Sequence, residues 1–235
     1  MKVLVFDTVK EASQKAYEVF QESLNSGSKV FGLATGSTPE KLYDIMVQSD
    51  IDFTQATSIN LDEYNGLAGD HPQSYYFFMN EHLFNEKPFK NNYLPNGMNT
   101  DAAAEVERYN QILADNPVDL QLLGIGGNGH IGFNEPGTDF NGRTQLVDLA
   151  PETIEANKRY FESASDVPSK AYSMGIASIL ESKQILLLAF GEGKAEAVKG
   201  MIEGPVTNNL PASALQNHDN VTVILDKAAA SLLNK

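Results

Sequence analysis

Short apolar runs alternate with longer segments of helical period along almost the whole chain. The apolar runs are "KVLVFD", "KVFGLAT", "TSINLDE", "VDLQLLGI", "KAYSMGI", "QILLLAF" and "VTVILD". The segments between them include "TPEKLYDIM", "HPQSYYFFMNEHLF", "DAAAEVERYNQILADN", "APETIEANKRYF", "ASILES" and "GKAEAVKGMIEG". This alternation is typical of a mostly parallel sheet that is covered by helices on both faces. We therefore predict one α/β domain over residues 1–235, doubly wound and Rossmann-like.

Local signals indicate where several of these helices begin. In "TPEKLYDIM", Thr38 is expected to be the N-cap and Pro39 the first helical residue. Either Thr100 or Asp101 is expected to cap the helix in "AAAEVERYNQILADN". A last helix is expected in "DKAAASLLNK" at the end of the sequence. Helices at these places would connect successive strands, as a parallel sheet requires.

Composition narrows the possible partners. Lys and Arg total 17 against 31 Asp and Glu, so the net charge is −14, which repels nucleic-acid phosphates and anionic membranes. A few basic side chains in one cleft can still bind a small anion. The sequence has no cysteine, which excludes thiolate nucleophiles, and it has no apolar run of about eighteen residues. We expect a cytoplasmic protein that acts on a small molecule and binds neither nucleic acid nor membrane.

Four loops that leave predicted strands are polar, glycine-rich or charged, and in α/β sheets ligands bind beyond the carboxyl ends of strands. The first loop, "TGSTP", leads from a strand into a helix. Its backbone N–H groups and hydroxyls could bind a phosphate. The residues concerned are Thr35, Gly36, Ser37 and Thr38. The alternative is that Gly36 only turns the chain and Thr38 only caps the helix.

The second loop begins in "NLDEYNGL", where Asp62 and Glu63 end a strand. Successive strand residues point to opposite faces, so only one of the two carboxylates can face a ligand. A carboxylate in a cleft with little water has a raised pKa and can act as a general base. The alternative is that both are surface acids or helix caps.

The third loop, "GGNGHIGFNEPG", combines an imidazole, a carboxylate and five glycines. His130 can transfer protons near neutral pH, and Glu135 could hold its other ring nitrogen. The glycines would let the backbone approach a ligand closely. A structural histidine followed by a simple turn is the alternative. We expect no metal site, because the other histidines have no ligand-like spacing to His130.

The fourth loop, "GEGKAEA", places Lys194 at the start of a helix, where a cation opposes the helix dipole. It could instead meet a bound anion. Arg159 in "ANKRYF" offers a guanidinium suited to phosphate. For each of these two cations alone, a solvated surface position is the simpler interpretation.

Taken together, "TGSTP", "NLDEYNGL", "GIGGNGHIGFNEPG", "ANKRYF" and "GEGKAEAVKG" resemble the motifs of the glucosamine-6-phosphate deaminase family, in order from Val3 to about Leu225. The resemblance implies a sugar-phosphate isomerase type of fold with a mobile lid at about residues 138–168. It also implies conversion of D-glucosamine 6-phosphate and water into D-fructose 6-phosphate and ammonia, as in amino-sugar catabolism, without metal or organic cofactor.

The resemblance assigns a role to each candidate residue. His130, bonded to Glu135 and supported by Asn128, would open the sugar ring, and Asp62 would remove the proton from C2. The "TGSTP" turn, Arg159 and Lys194 would hold the phosphate. These assignments turn the two isolated cations into candidates for phosphate binding.

Two positions depart from the family pattern. Asn128 replaces an aspartate found in some members, so Glu135 must supply the negative charge beside His130. Gln145 and Val147 stand where longer, hexameric members have basic residues that bind an activator. We therefore expect no allosteric activation, and a monomer or small homo-oligomer instead of a hexamer.

Two alternative functions stay open at this point. A 6-phosphogluconolactonase shares the expected fold and a glycine-rich loop with histidine, but it has no use for a carbon base in "LDEY". A non-catalytic sugar-phosphate sensor would carry a helix-turn-helix segment, for which this acidic sequence has neither spare residues nor a basic face.

Overall fold

A seven-stranded sheet in which every neighbouring pair of strands is parallel forms the centre of the molecule. The computed structural model describes residues 1–149, 151, 154–155, 161 and 166–234. Across the sheet, the strands are β1 (Lys2–Phe6), β10 (Val221–Asp226), β9 (Gln184–Ala189), β6 (Leu120–Leu123), β2 (Val30–Leu33), β3 (Thr57–Asn60) and β5 (Asn91–Tyr93). The predicted mostly parallel α/β architecture is confirmed.

A second, antiparallel sheet of three strands stands beside the carboxyl end of β3. It consists of β4 (Asp62–Tyr64), β8 (Lys170–Ser173) and β7 (Gln145–Asp148), in that order. The predicted run "TSINLDE" is therefore divided between two sheets, and "KAYSMGI" contributes to the small sheet instead of the large one. The strands β5 and β7 were not predicted, because they are short and partly polar.

Helices connect the strands and cover both faces of the large sheet. They are α1 (Val9–Asn25), α2 (Ser37–Gln48), α3 (Tyr75–Met79), α4 (Ala102–Asp115), α5 (Ile176–Leu180) and α6 (Ala195–Glu203). A π-helical turn at Asn80–Phe84 extends α3, and 3-10 turns lie at Glu192–Lys194 and Pro211–Asn217. None of the helices in the described part of the chain is long and apolar enough to cross a membrane.

Side-chain caps explain where two of these helices begin. Thr8 and Glu11 form a reciprocal capping box at the start of α1. The carboxylate of Asp101 accepts a 3.0 Å hydrogen bond from the N–H of Ala104, which confirms one of the two caps expected for α4. The N-cap predicted for α2 is wrong, because the helix begins two residues earlier, at Ser37, with Gly36 at the N-cap.

The helix predicted in "DKAAASLLNK" is also wrong. Residues 227–232 form turns, in which the N–H of Ala230 bonds to Asp226 four residues back but that of Ser231 bonds to Ala228 three residues back. The carboxylate of Asp226 accepts from both Ala229 and Gly191. This tie to the neighbouring loop holds the segment in turns instead of a regular helix. Most of the helix predicted in "APETIEANKRYF" lies outside the described residues.

The core lies between the large sheet and its helices. Along α1, Ala12, Ala16 and Phe20 are fully buried on one face, and the Phe20 ring stacks on Phe31 of β2 at 5.7 Å between centroids. Burying a large apolar side chain of this kind contributes about 1.5–3 kcal/mol. This packing fixes α1 against the face of the sheet. The ends of the strands are then available to carry functional loops.

The order of strands brings the four candidate loops to one place. The loops follow β2, β3, β6 and β9, which are adjacent in the sheet in the order β9-β6-β2-β3. From β2 the chain proceeds to β3 on one side, and from β6 it proceeds to β9 on the other. The carboxyl ends of β2 and β6 therefore form the switch point at which α/β sheets bind ligands.

Candidate active site

The loop after β2 presents the open N-terminus of α2. Gly36 has φ 89°, a left-handed conformation that favours glycine, and no side chain caps the helix. The first-turn N–H groups therefore have no side-chain acceptor of their own and are suited to an anion. A Cβ built on Gly124, just after β6, would lie 4.0 Å from Oγ1 of Thr38. The loops after β2 and β6 thus meet at the switch point.

Asp62 follows β3 and is buried, with 7% of its surface exposed. Burial and, to a smaller extent, the negative charge of Glu63 together raise the pKa of this carboxyl to about 8. Its Oδ2 lies 3.7 Å from the position of a Cβ built on Gly132. Asp62 therefore faces the glycine-rich loop, residues 126–137, across a narrow gap.

Glu63 has a structural role, as one of the alternatives in the sequence analysis proposed. Its carboxylate accepts hydrogen bonds of 2.8–2.9 Å from the N–H groups of Tyr64, Tyr75 and Tyr76, two of which belong to the first turn of α3. Burial raises the pKa of Glu63 to about 7, while these hydrogen bonds act in the opposite direction. Glu63 thus anchors α3 next to Asp62.

Within the glycine-rich loop, Asn128 joins His130 and Glu135. Its Nδ2 donates a 2.7 Å hydrogen bond to Oε2 of Glu135, and its Oδ1 accepts a 3.1 Å hydrogen bond from the N–H of His130. Nδ1 of His130 lies 3.5 Å from the same Glu135 oxygen. Nδ1 is buried, and no hydrogen-bond partner for it exists among the described residues. The predicted pairing of ring and carboxylate is thus close, with Asn128 holding the carboxylate in place.

At two glycines of this loop, other side chains of the protein occupy the space that a Cβ would need. A Cβ on Gly126 would lie 2.4 Å from the His130 ring, and one on Gly129 would lie 2.3 Å from Leu210. Gly129 also has φ 85°, which few other residues adopt. The expectation that these glycines serve close approach to a ligand is therefore corrected for Gly126 and Gly129, whose space is filled from within.

Lys194 lies on the loop that follows β9. It ends the 3-10 turn before α6 and is half-buried, and burial lowers its pKa from the ordinary value. A Cβ on Gly127 would lie 3.3 Å from the carbonyl oxygen of Gly193, so the Lys194 loop contacts the glycine-rich loop. The loop that carries Lys194 thus contacts the loop that carries His130, while a role of Lys194 in phosphate binding stays a prediction.

Two predicted features of the site lie wholly or partly outside the described residues. Arg159 lies outside the described residues, as does much of the lid expected at residues 138–168. Among the described parts of that segment, Phe161 packs against Tyr64 with 6.2 Å between ring centroids.

Sequence reasoning also missed Ser173 on β8, which is hydrogen-bonded to the glycine-rich loop. No local signal marks it, because its importance comes from strand pairing.

In the portions of the chain that the structure covers, no cluster of three or more His, Asp or Glu side chains is arranged to hold a metal ion. The arrangement that is present consists of a buried carboxyl, an imidazole next to a carboxylate, and an open helix N-terminus with a nearby lysine. Such a set can bind an anionic group and move protons at two points beside it.

Comparison with known proteins agrees with this arrangement. Residues 6–224 match the family model of glucosamine-6-phosphate isomerases and 6-phosphogluconolactonases. The chain therefore belongs to this family, and the resemblance drawn from the loop motifs is confirmed.

Three relatives that match over their whole length are named as deaminases. Proteins named glucosamine-6-phosphate deaminase from Latilactobacillus sakei, Oenococcus oeni and Streptococcus pneumoniae are 60%, 57% and 58% identical over 235 residues, with complete coverage of both chains. These matches confirm the enzyme class predicted from the sequence.

Solved structures extend the comparison to the fold. A monomeric glucosamine-6-phosphate deaminase of the NagB superfamily is 46% identical with a TM-score of 0.96, covering 99% of this chain and 100% of the other. The 6-phosphogluconolactonase of Leishmania guyanensis has a TM-score of 0.80 at 21% identity, covering 100% of this chain and 99% of the other. This second likeness shows a shared fold alone.

Proposed function

We propose that the chain converts D-glucosamine 6-phosphate and water into D-fructose 6-phosphate and ammonia. The observation that carries the proposal is the buried Asp62 carboxyl facing the loop that holds His130 and Glu135. An isomerisation of an amino sugar needs a base at carbon and a second proton-transfer group at the ring oxygen. The names of the whole-length relatives support the same reaction.

The phosphate of the substrate would bind at the open start of α2. There the N–H groups and hydroxyls of residues 35–38 meet the positive end of the helix dipole. Lys194 is half-buried, and its loop contacts the glycine-rich loop. Its amine would supply a positive charge to the phosphate. A bound dianion would also stabilise the charged form of this amine. Arg159 is proposed as a further phosphate ligand.

The first chemical step is opening of the pyranose ring. His130 takes the proton of the anomeric hydroxyl and delivers it to the ring oxygen, and the Glu135 charge stabilises the imidazolium in between. Asn128 keeps that carboxylate in place through its 2.7 Å hydrogen bond. The C1 aldehyde that results makes the proton on C2 acidic.

The second step is carbon chemistry at Asp62. The ionised carboxylate removes the C2 proton, the C2–H electron pair forms the C1=C2 bond, and the C1=O π pair moves to O1, which takes a proton from the substrate's ammonium group to give the enolamine. The nitrogen lone pair then forms the C2=N bond as the same carboxyl returns the proton to C1. Since C1 and C2 are adjacent, one group serves both positions. The C2 imine then adds water and releases ammonia, leaving the ketone. A base whose pKa lies near the operating pH, as that of Asp62 does, is suited to this task.

Three further properties stay proposals. The segment 138–168 is proposed to close over the bound sugar as a lid, which would exclude water from the enolamine. The protein is proposed to act as a monomer or small homo-oligomer, and the relative at 46% identity, which is monomeric, supports the monomer. It is also proposed to have no allosteric activator. A cytoplasmic location stays a prediction from the sequence.

A direct assay tests the proposed function. The purified chain is given glucosamine 6-phosphate, and ammonia and fructose 6-phosphate are measured together. We expect the two products in equal amounts. Hydrolysis of 6-phosphogluconolactone without release of ammonia would instead assign the chain to the lactonases of the family, and binding of the sugar phosphate without turnover would indicate a sensor.

A further inference from the structure

Three side chains form one row across the small antiparallel sheet. Asp62 of β4 is paired with Ser173 of β8, and Ser173 is paired with Gln145 of β7. Residues paired directly across antiparallel strands point to the same face of the sheet. The base of the proposed reaction therefore shares a face with a hydroxyl and an amide, neither of which has a role in the chemistry above.

The glycine-rich loop lies directly on this row. A Cβ built on Gly132 would lie 3.0 Å from Oγ of Ser173, 3.5 Å from Nδ2 of Asn134 and 3.7 Å from Oδ2 of Asp62. Gly132 has φ 56°. A side chain at this position would thus push the loop away from the row, and glycine allows the backbone to approach Asp62.

Ser173 ties the loop to β8 by one hydrogen bond, and a second one, to the next residue along the chain, fixes its hydroxyl. Its Oγ accepts a 3.0 Å bond from the N–H of Phe133 and donates a 3.1 Å bond to the carbonyl oxygen of Met174. Ser173 is fully buried, so water cannot replace either bond. The donor and the acceptor capacity of this hydroxyl are both used to hold the loop at the end of β8.

Asn134 forms the second tie, and Gln145 fixes its orientation. Nδ2 of Asn134 donates 2.8 Å bonds to the carbonyl oxygens of Ile131 and Met174, and its Oδ1 accepts a 3.2 Å bond from Nε2 of Gln145. A flipped amide would place Oδ1 against two carbonyl oxygens, so only one orientation satisfies all three bonds. Asn134 is fully buried, and Gln145 is the side chain that supplies its acceptor with a partner.

We propose that Ser173 and Gln145 are positioning residues that hold the glycine-rich loop over Asp62, and so set the distance between the two proton-transfer groups of the site. The inference rests on the proposed function. The phosphate cradle at α2 and Lys194 lies on other loops. Loss of either tie should therefore slow the chemistry of bound substrate more than it weakens binding.

The test uses Gln145→Met and Ser173→Ala in the full chain. Methionine keeps the length of glutamine without a donor, and Gln145 is only partly buried, so this variant should fold. The matched control is Gln111→Met, which removes an exposed hydrogen bond to Asp115 on α4. For each protein, kcat and KM for glucosamine 6-phosphate, loss of the C2 proton in D2O and the thermal midpoint are measured.

We expect kcat and the rate of C2-proton loss to fall together by about fivefold in each variant, the equivalent of one hydrogen bond, with KM changed less than about twofold. The control should keep the wild-type values. Unchanged kcat in Gln145→Met, or a rise in KM as large as the fall in kcat, would overturn the inference. Failure of the wild type to release ammonia would instead overturn the proposed function, so the two failures are distinguishable.

Discussion

The side-chain amide of Asn128 donates a 2.7 Å hydrogen bond to Oε2 of Glu135, the same oxygen that lies 3.5 Å from Nδ1 of His130. One amide thus holds the only carboxylate that the loop of residues 126–137 places beside the imidazole. A carboxylate at position 128 would have repelled Glu135 at this distance. The amide instead lets a single negative charge act on His130.

Replacing Asn128 should weaken this arrangement. In Asn128→Ala, Glu135 loses a donor, and the backbone N–H of His130 loses its acceptor. A hydrogen bond to a charged group contributes about 1.5–3 kcal/mol, so we expect kcat/KM for the closed sugar to fall by about tenfold or more. The control is Asn234→Ala, which removes an exposed 2.7 Å hydrogen bond to Glu203. Equal activity of the two variants would contradict the supporting role of Asn128.

Glu63 should influence catalysis through its charge. Asp62 acts as a base only when ionised, and its pKa of about 8 results first from burial and then from the charge of Glu63. Removing that charge in Glu63→Gln should lower the pKa of Asp62, so the acid limb of the kcat/KM profile should move to lower pH. The exposed Glu107→Gln serves as the control. An acid limb that stays in place would show that burial alone sets the basicity.

The same pKa predicts how stability depends on pH. The carboxyl of Asp62 has a pKa of 3.8 in the unfolded chain and about 8 in the folded protein, so it binds its proton more tightly in the folded state. Wild-type stability should therefore decline as pH rises from about 4 to about 8, because folding then opposes ionisation. Asp62→Asn removes this cost.

Thermal melting measures the effect. Asp62→Asn should gain stability over the wild type as pH rises from about 4 to about 8, with little gain at the acid end. The exposed Asp50→Asn should show no such trend. A constant difference in thermal midpoint between Asp62→Asn and the wild type across this pH range would contradict the raised pKa.

Replacing Lys194 should weaken binding of the substrate phosphate. In Lys194→Met the phosphate loses a cationic partner, and a charge-assisted hydrogen bond contributes about 1.5–3 kcal/mol, so KM should rise by about tenfold or more. The value of kcat should change much less, because the lysine contacts no reacting atom. Lys199→Met, one turn further along α6, is the control. A fall in kcat at unchanged KM would exclude Lys194 from the phosphate site.

The sequence predicted the large sheet because its signal is local. Runs such as "QILLLAF" are apolar throughout, as strands buried on both faces must be, and each became part of a strand. The strands β5 and β7 carry no such signal, since "NNY" and "QLVD" are stabilised by pairing with neighbours far away in the chain. The start of α2 was misplaced because Thr38 resembles a cap, whereas Gly36 enters the helix through a left-handed conformation.

In the candidate site, too, some residues are marked by a local sequence signal, whereas the roles of others depend on contacts with distant parts of the chain. The sequence predicts Asp62, His130 and Lys194 as candidates because each follows a strand, and the carboxyl ends of adjacent parallel strands meet. The roles of Gly126 and Ser173 depend on which side chain fills or reaches them from elsewhere in the fold. Such contacts have no counterpart in the spacing of residues along the sequence.

The central claim is that Asp62 removes the C2 proton while His130 opens the ring. Exchange of the C2 proton of glucosamine 6-phosphate with D2O, followed by NMR for the wild type, Asp62→Asn and His130→Gln, tests it most directly. We expect no exchange in Asp62→Asn although the substrate still binds, and in His130→Gln slow exchange that is partly restored with a substrate supplied in the open form. Rapid exchange in Asp62→Asn would contradict the account.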